Sequence, residues 1–157
     1  MVKKRLLLFV LVGGISLVAA AVLFAGTTVP DVIQMKNDYE HEKGIIQFTH
    51  AKHINEYEIG CGDCHHDDKG EPLTALKEGD HVDKCIFCHQ KPGEVPRETK
   101  KEWRDKKLKR KEVKKRELEW HAEALHENCR GCHRKYNKDN KTKAAPTTCS
   151  KCHPDSD

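Results

Sequence analysis

The sequence predicts a mostly helical and irregular fold with one small two-stranded sheet near the N-terminus, packed around bound groups instead of its own side chains. Three features of the 157 residues carry that expectation. Beyond residue 25 the chain has few large apolar residues and many charges. A domain of this size normally offsets its conformational entropy by burying a sizeable apolar interior, and here the material for one is missing. Second, one pentapeptide recurs four times. Third, seven of the eleven histidines lie outside those repeats.

The repeats are Cys61-Gly-Asp-Cys64-His65, Cys85-Ile-Phe-Cys88-His89, Cys129-Arg-Gly-Cys132-His133 and Cys149-Ser-Lys-Cys152-His153, and they use every cysteine in the chain. Cys-x-x-Cys-His is the attachment signal for c-type haem. The two thiols add to the haem vinyl groups and the histidine binds the iron. On a helical turn the two cysteines and the histidine share one face, so a short segment both anchors the ring and ligates its metal. The expectation is a multihaem cytochrome with four covalently bound haem c groups. These groups supply the missing core, and the apo chain is largely unfolded.

Zinc-ribbon and disulfide readings compete for the same cysteines. A histidine after every second cysteine argues against the first. Four identically placed histidines are left unexplained by the second.

Along the chain, Lys3, Lys4 and Arg5 precede Leu6 to Ala25, a 20-residue stretch without charge. It reads as a secretory signal, with Ala19-x-Ala21 as a small-residue cleavage site. The alternative is an uncleaved membrane anchor, since 20 apolar residues also span a bilayer. Residues 1–25 are thus a signal or anchor, and 26–157 a tetrahaem domain facing an extracytoplasmic, periplasmic space. Asp31 to Met35 and Gly44 to Phe48 are β-prone runs expected to pair antiparallel. Lys69-Gly-Glu-Pro72 and Lys91-Pro-Gly-Glu-Val-Pro96 break regular structure. Arg97 to Leu125 lacks Pro and Gly and predicts a helix. Its apolar residues Trp103, Leu108, Val113 and Leu118 fall five apart, which fits no single helical face. A solvated, protruding helix is expected, not a core helix.

Charge is uneven. Residues 97–116 hold 12 basic and 4 acidic side chains, while the rest of 26–157 carries a net charge of −7. This basic insertion is either a solvated helix face or a docking patch for an acidic redox partner or an anionic membrane surface. Nucleic acid is not an expected partner in an exported protein.

Each iron has a second axial position, and its occupant decides the chemistry. Met35 is the single methionine after residue 25, so at least three haems lack a Met ligand. His41, His50, His53, His66, His81, His121 and His126 are the candidates. Seven histidines for four positions make full bis-histidine ligation feasible, which favours electron transfer over catalysis. The alternative is a multihaem reductase with one open-coordination haem.

Phe48-Thr-His50-Ala-Lys-His53 followed by Cys61-Gly-Asp-Cys64-His65-His66 resembles the start of the cytochrome c3-type (class III) tetrahaem cytochromes, over roughly residues 30–157. The resemblance implies His50 with His65 on haem 1 and His66 with His89 on haem 2. It likewise implies His53 with His133 on haem 3 and His126 with His153 on haem 4. The basic segment lies just before His126, so with His126 as a ligand of haem 4, haem 4 is the expected entry point. His41, His81 and His121 then take surface or supporting roles. If His65 and His66 bind different irons, successive Cα atoms about 3.8 Å apart bring those haems close enough for fast electron hopping. The resemblance further implies a low-potential carrier, not an enzyme. It would run between a hydrogenase or other dehydrogenase and a membrane-associated redox complex, with membrane association through the N-terminal or basic segment as a further expectation. The chain departs from many family members in its two-residue spacing at the second and fourth motifs and in its basic segment.

Overall fold

The computed structural model describes residues 29–154; the signal or anchor expected at residues 1–25 lies outside them. Two short strands, β1 (Ile33–Gln34) and β2 (Gln47–Phe48), pair antiparallel with Ile33 opposite Phe48 and Gln34 opposite Gln47. The amide of Met35 donates to the Ile46 carbonyl oxygen and extends the pairing by one bond. The expected sheet is present but shorter than the β-prone runs, because the polar stretch between them turns the chain away early. Helix α1 (His50–Asn55) follows at once, and Ala51 N–H donates to the Asp31 carbonyl oxygen, fixing α1 against the start of the sheet.

The first and second motifs open with 3₁₀ turns at Cys61–Asp63 and Cys85–Phe87. Helices α2 (Arg97–Asp105) and α3 (Arg110–Glu117) come next, then α4 (His121–Leu125). A π-helical turn at His126–Gly131 leads into α5 (Cys132–Asp139), and α6 (Cys149–Cys152) carries the last motif.

The single helix expected over residues 97–125 is therefore three helices. Lys107, with φ +50°, breaks the first from the second. The five-residue apolar spacing explains the break. One continuous helix would point Trp103, Leu108, Val113 and Leu118 in different directions. Folding back lets Leu108 N–H reach the Trp103 carbonyl oxygen and leaves Trp103 only 7% exposed. Trp103 is thus a core residue, contrary to the expectation of a wholly solvated segment.

That core is very small. Among the described residues, Val95, Trp103 and Ala124 are the buried apolar side chains, and His121 is the buried polar one. None of the described helices is long and apolar enough to cross a membrane.

Candidate haem-binding centres

In three of the motifs the backbone makes the same local turn. The histidine amide donates to the carbonyl oxygen of the first cysteine in the first, second and fourth motifs, at 2.9, 2.9 and 2.8 Å. The third motif reaches the same end differently, running through the π-helical turn into α5. A π turn widens the helix locally and commonly accompanies a functional site. Asn128 within it donates to the Cys64 carbonyl oxygen at 3.1 Å, tying the third motif to the first.

The eight cysteines form no disulfide. Cys64, Cys85 and Cys152 have thiols raised above their ordinary pKa by burial first. Cys129 has exposed surface yet is crowded by protein atoms. Desolvation, and then the thiols of Cys64, Cys85, Cys152 and Cys132, push it up to about 11. No three His, Cys, Asp or Glu side chains converge on a metal-sized point among the described residues.

The histidines converge in pairs instead. His50 and His65 have ring centres 6.4 Å apart, and His66 and His89 5.9 Å. His53 and His133 lie 6.3 Å apart, as do His126 and His153. An imidazole nitrogen binds a metal at about 2 Å, so its ring centre sits about 3 Å from the ion, and two rings on opposite sides are about 6 Å apart. Each pair fits one iron ligated on both faces. The ring planes cross at 72–82° in three pairs and lie within 21° of parallel for His53 and His133. Each pair joins one motif histidine to one outside the motifs or, for His66, just after one.

Hydrogen bonds decide which nitrogen each ring presents. His53 Nδ1 donates to the Thr49 carbonyl oxygen at 2.8 Å, His66 Nδ1 to Asp67 at 2.7 Å and His133 Nδ1 to Pro146 at 2.7 Å. His153 Nδ1 donates to Gly44 at 3.0 Å, and His89 Nδ1 to Leu118. A carbonyl oxygen only accepts, so Nδ1 carries the proton and Nε2 keeps its lone pair. This is the usual outer support of a metal-bound imidazole, and it raises ligand basicity. His126 Nδ1 faces the Glu94 carboxylate at 3.8 Å, beyond hydrogen-bond reach. His50 Nδ1 is buried without a protein partner. Burial lowers the pKa of His65, with His50 and His66 adding to it. It also lowers that of His126 against the opposing pull of Glu94 and Glu123. Both rings are then neutral near pH 7, the form that binds metal.

The remaining histidines sit elsewhere. His41 Nε2 is bonded to the Asn37 backbone, and the exposed His81 lies beside Asp83. His121, 2% exposed, shares a 2.8 Å hydrogen bond with the Tyr39 hydroxyl, and its amide donates to the Lys91 carbonyl oxygen. It joins the N-terminal segment to the chain beside the second motif. Neither this contact nor the five carbonyl acceptors could be found from sequence, because a backbone oxygen leaves no trace in residue identity.

The basic segment was expected beside haem 4. Lys100 pairs with Glu123 on the turn before His126, and the residues just after the segment reach the chain around the second motif, through the Leu118–His89 hydrogen bond and the bond from Lys91 N–H to the Glu119 carbonyl oxygen. Its α3 also reaches the π-helical turn through Lys114 and Glu127, 2.5 Å apart.

Comparison with curated proteins and with solved structures gives no match. The model of the class III cytochrome c family matches residues 27–153. With four Cys-x-x-Cys-His turns inside that span and an imidazole facing each motif histidine, the chain belongs to the class III cytochrome c family, whose covalently bound c-type haem serves electron transfer.

Proposed function

We propose that the chain is an exported tetrahaem c-type cytochrome, a low-potential electron carrier whose four irons each take two histidines. The carrying observation is the set of four imidazole pairs with ring centres 5.9–6.4 Å apart. Cys61 and Cys64, Cys85 and Cys88, Cys129 and Cys132, and Cys149 and Cys152 hold the four haems. His50 and His65, His66 and His89, His53 and His133, and His126 and His153 ligate them. Haem iron supplies one-electron exchange; the protein supplies saturated coordination, which leaves no position for a substrate. Carbonyl-bonded histidines stabilise the oxidised metal and support a low potential. The family supports a place outside the cytoplasm, between a hydrogenase or other dehydrogenase and a membrane-associated redox complex.

The intact mass and spectra of the purified holoprotein test this. The expected result is four haem additions, a low-spin spectrum, no carbon monoxide binding by the native reduced form, and two classes of ferric low-spin EPR signal from crossed and near-parallel rings. Fewer haems overturn the tetrahaem reading. A high-spin fraction that binds carbon monoxide favours the multihaem reductase.

A further inference from the structure

Among the described residues His121 is the most deeply buried, at 2% exposed, and the four ligand pairs leave it unused. A buried imidazole is costly unless its polar atoms find partners. Its partner comes from far along the chain. The Tyr39 hydroxyl shares a 2.8 Å hydrogen bond with His121 Nδ1, and the two rings meet edge to face with centres 5.8 Å apart. Tyr39 in turn stacks on His41, with ring centres 4.8 Å apart. Burial raises the Tyr39 hydroxyl above its ordinary pKa, against the pull of the Gly93 backbone. Burial first, then His89 and His41, lowers that of His121. The bond therefore joins two neutral groups near pH 7.

The backbone of His121 belongs to a run that lies parallel to the chain just after the second motif. Lys91 N–H donates to the Glu119 carbonyl oxygen at 3.0 Å, His121 N–H to the Lys91 carbonyl oxygen at 2.8 Å and Ala122 N–H to the Gly93 carbonyl oxygen at 3.0 Å. Lys91 and Trp120 form the bridged pair of this short parallel ladder. At its upstream end the Leu118 carbonyl oxygen accepts from His89 Nδ1. A two-stranded pairing this short does not hold by itself. The Lys91–Glu119 ion pair across it is half-exposed and adds little. Of residues 118–122 His121 alone is buried, so its side chain is what seats the ladder.

We propose that Tyr39 and His121 are positioning residues for the second haem: their hydrogen bond seats residues 118–122 so that the Leu118 carbonyl oxygen holds the His89 ring. The inference rests on the bis-histidine reading of that centre. Both residues act through the ladder, not on the iron. A carbonyl acceptor at Nδ1 raises the basicity of a ligating imidazole and so favours the oxidised metal. Unseating the ladder weakens that bond and raises the potential of the second centre above all.

Potentiometry of the haem-loaded protein with haem-by-haem NMR assignment tests this, together with hydrogen–deuterium exchange of the His89 Nδ1 proton. Tyr39→Phe, which deletes one oxygen atom, and His121→Leu should each shift the second reduction equilibrium about fivefold toward the reduced form, roughly 40 mV for one electron. Exchange of the His89 proton should quicken about tenfold in both. The other three centres should move by less than about twofold. His121→Asn carries an amide where Nδ1 stood, able to accept or donate, and should return both readouts to within about twofold of native. An unchanged second potential and exchange rate in Tyr39→Phe overturns the role. So does an equal shift of all four centres, which marks general loosening, and so does His121→Asn behaving as His121→Leu. Should His121→Leu fail to take up haem, Tyr39→Phe decides the matter. Four low-spin haems with an unmoved second potential sink the positioning role alone, whereas a native protein without four low-spin haems sinks the carrier reading itself.

Discussion

At the scale of single residues, the environments of the eight paired histidines differ most at Nδ1. Five donate to backbone carbonyl oxygens, so no side-chain substitution removes their support directly. Of the other three, His126 alone faces a carboxylate, that of Glu94 at 3.8 Å. The lowered pKa of His126 makes this a neutral ring beside a charge, not an ion pair. A nearby anion favours the oxidised, more positive metal. Glu94→Gln should therefore raise the potential of the fourth site and leave the other three in place. For a half-exposed carboxylate the change is about threefold in the reduction equilibrium, or roughly 30 mV. Potentiometry with haem-by-haem NMR assignment reads it, and an unchanged fourth potential refutes the role. The four motif histidines were legible from spacing, whereas His50, His53, His66 and His126 stood out from seven candidates only through the family resemblance. Glu94 was not, because one glutamate in a charge-rich chain looks like any other until the fold turns Pro92-Gly93 and brings it to His126.

The elements show where sequence patterns stop being informative. Motif turns were legible, since a turn that must bring two thiols and an imidazole to one face leaves little choice. The break between α2 and α3 was not, because helix propensity is uniform from Arg97 to Leu125, whereas the chain turns at Lys107 and buries Trp103. The π-helical turn was equally hidden, as no residue type announces it. Close approaches between elements make the sharpest element-scale prediction. An ideal Cβ on Gly44 would lie 2.2 Å from the Pro154 carbonyl oxygen, and the Gly44 carbonyl oxygen accepts from His153. Gly44→Ala must displace the C-terminal segment at a cost of about 1–3 kcal/mol. It should lower the melting temperature and give the fourth site a high-spin component. Gly131→Ala, whose Cβ would meet nothing nearer than 3.7 Å, should leave spectrum and melting unchanged. Equal behaviour of the two variants would refute the packing argument.

At the scale of the molecule, the three buried apolar side chains among the described residues cannot balance an ordering cost of about 1–2 kcal/mol per residue. The ion pairs are mostly exposed and each adds about 0–1 kcal/mol. Stability must then come from the bound groups and from the histidines they join across the chain. A protein made without haem attachment, or with the eight cysteines replaced by alanine, should show a disordered circular dichroism spectrum and collapsed NMR dispersion. A cooperative thermal transition in that material would refute the reading. The low apolar content made this much legible, although which distant segments meet was fixed only by the fold. Helix α1 carries that economy furthest. It is less than two turns long, and it bears His50 of one pair and His53 of another. On the bis-histidine reading, this one short, stiff element would hold a ligand of each of two irons, so displacing it would disturb both centres together.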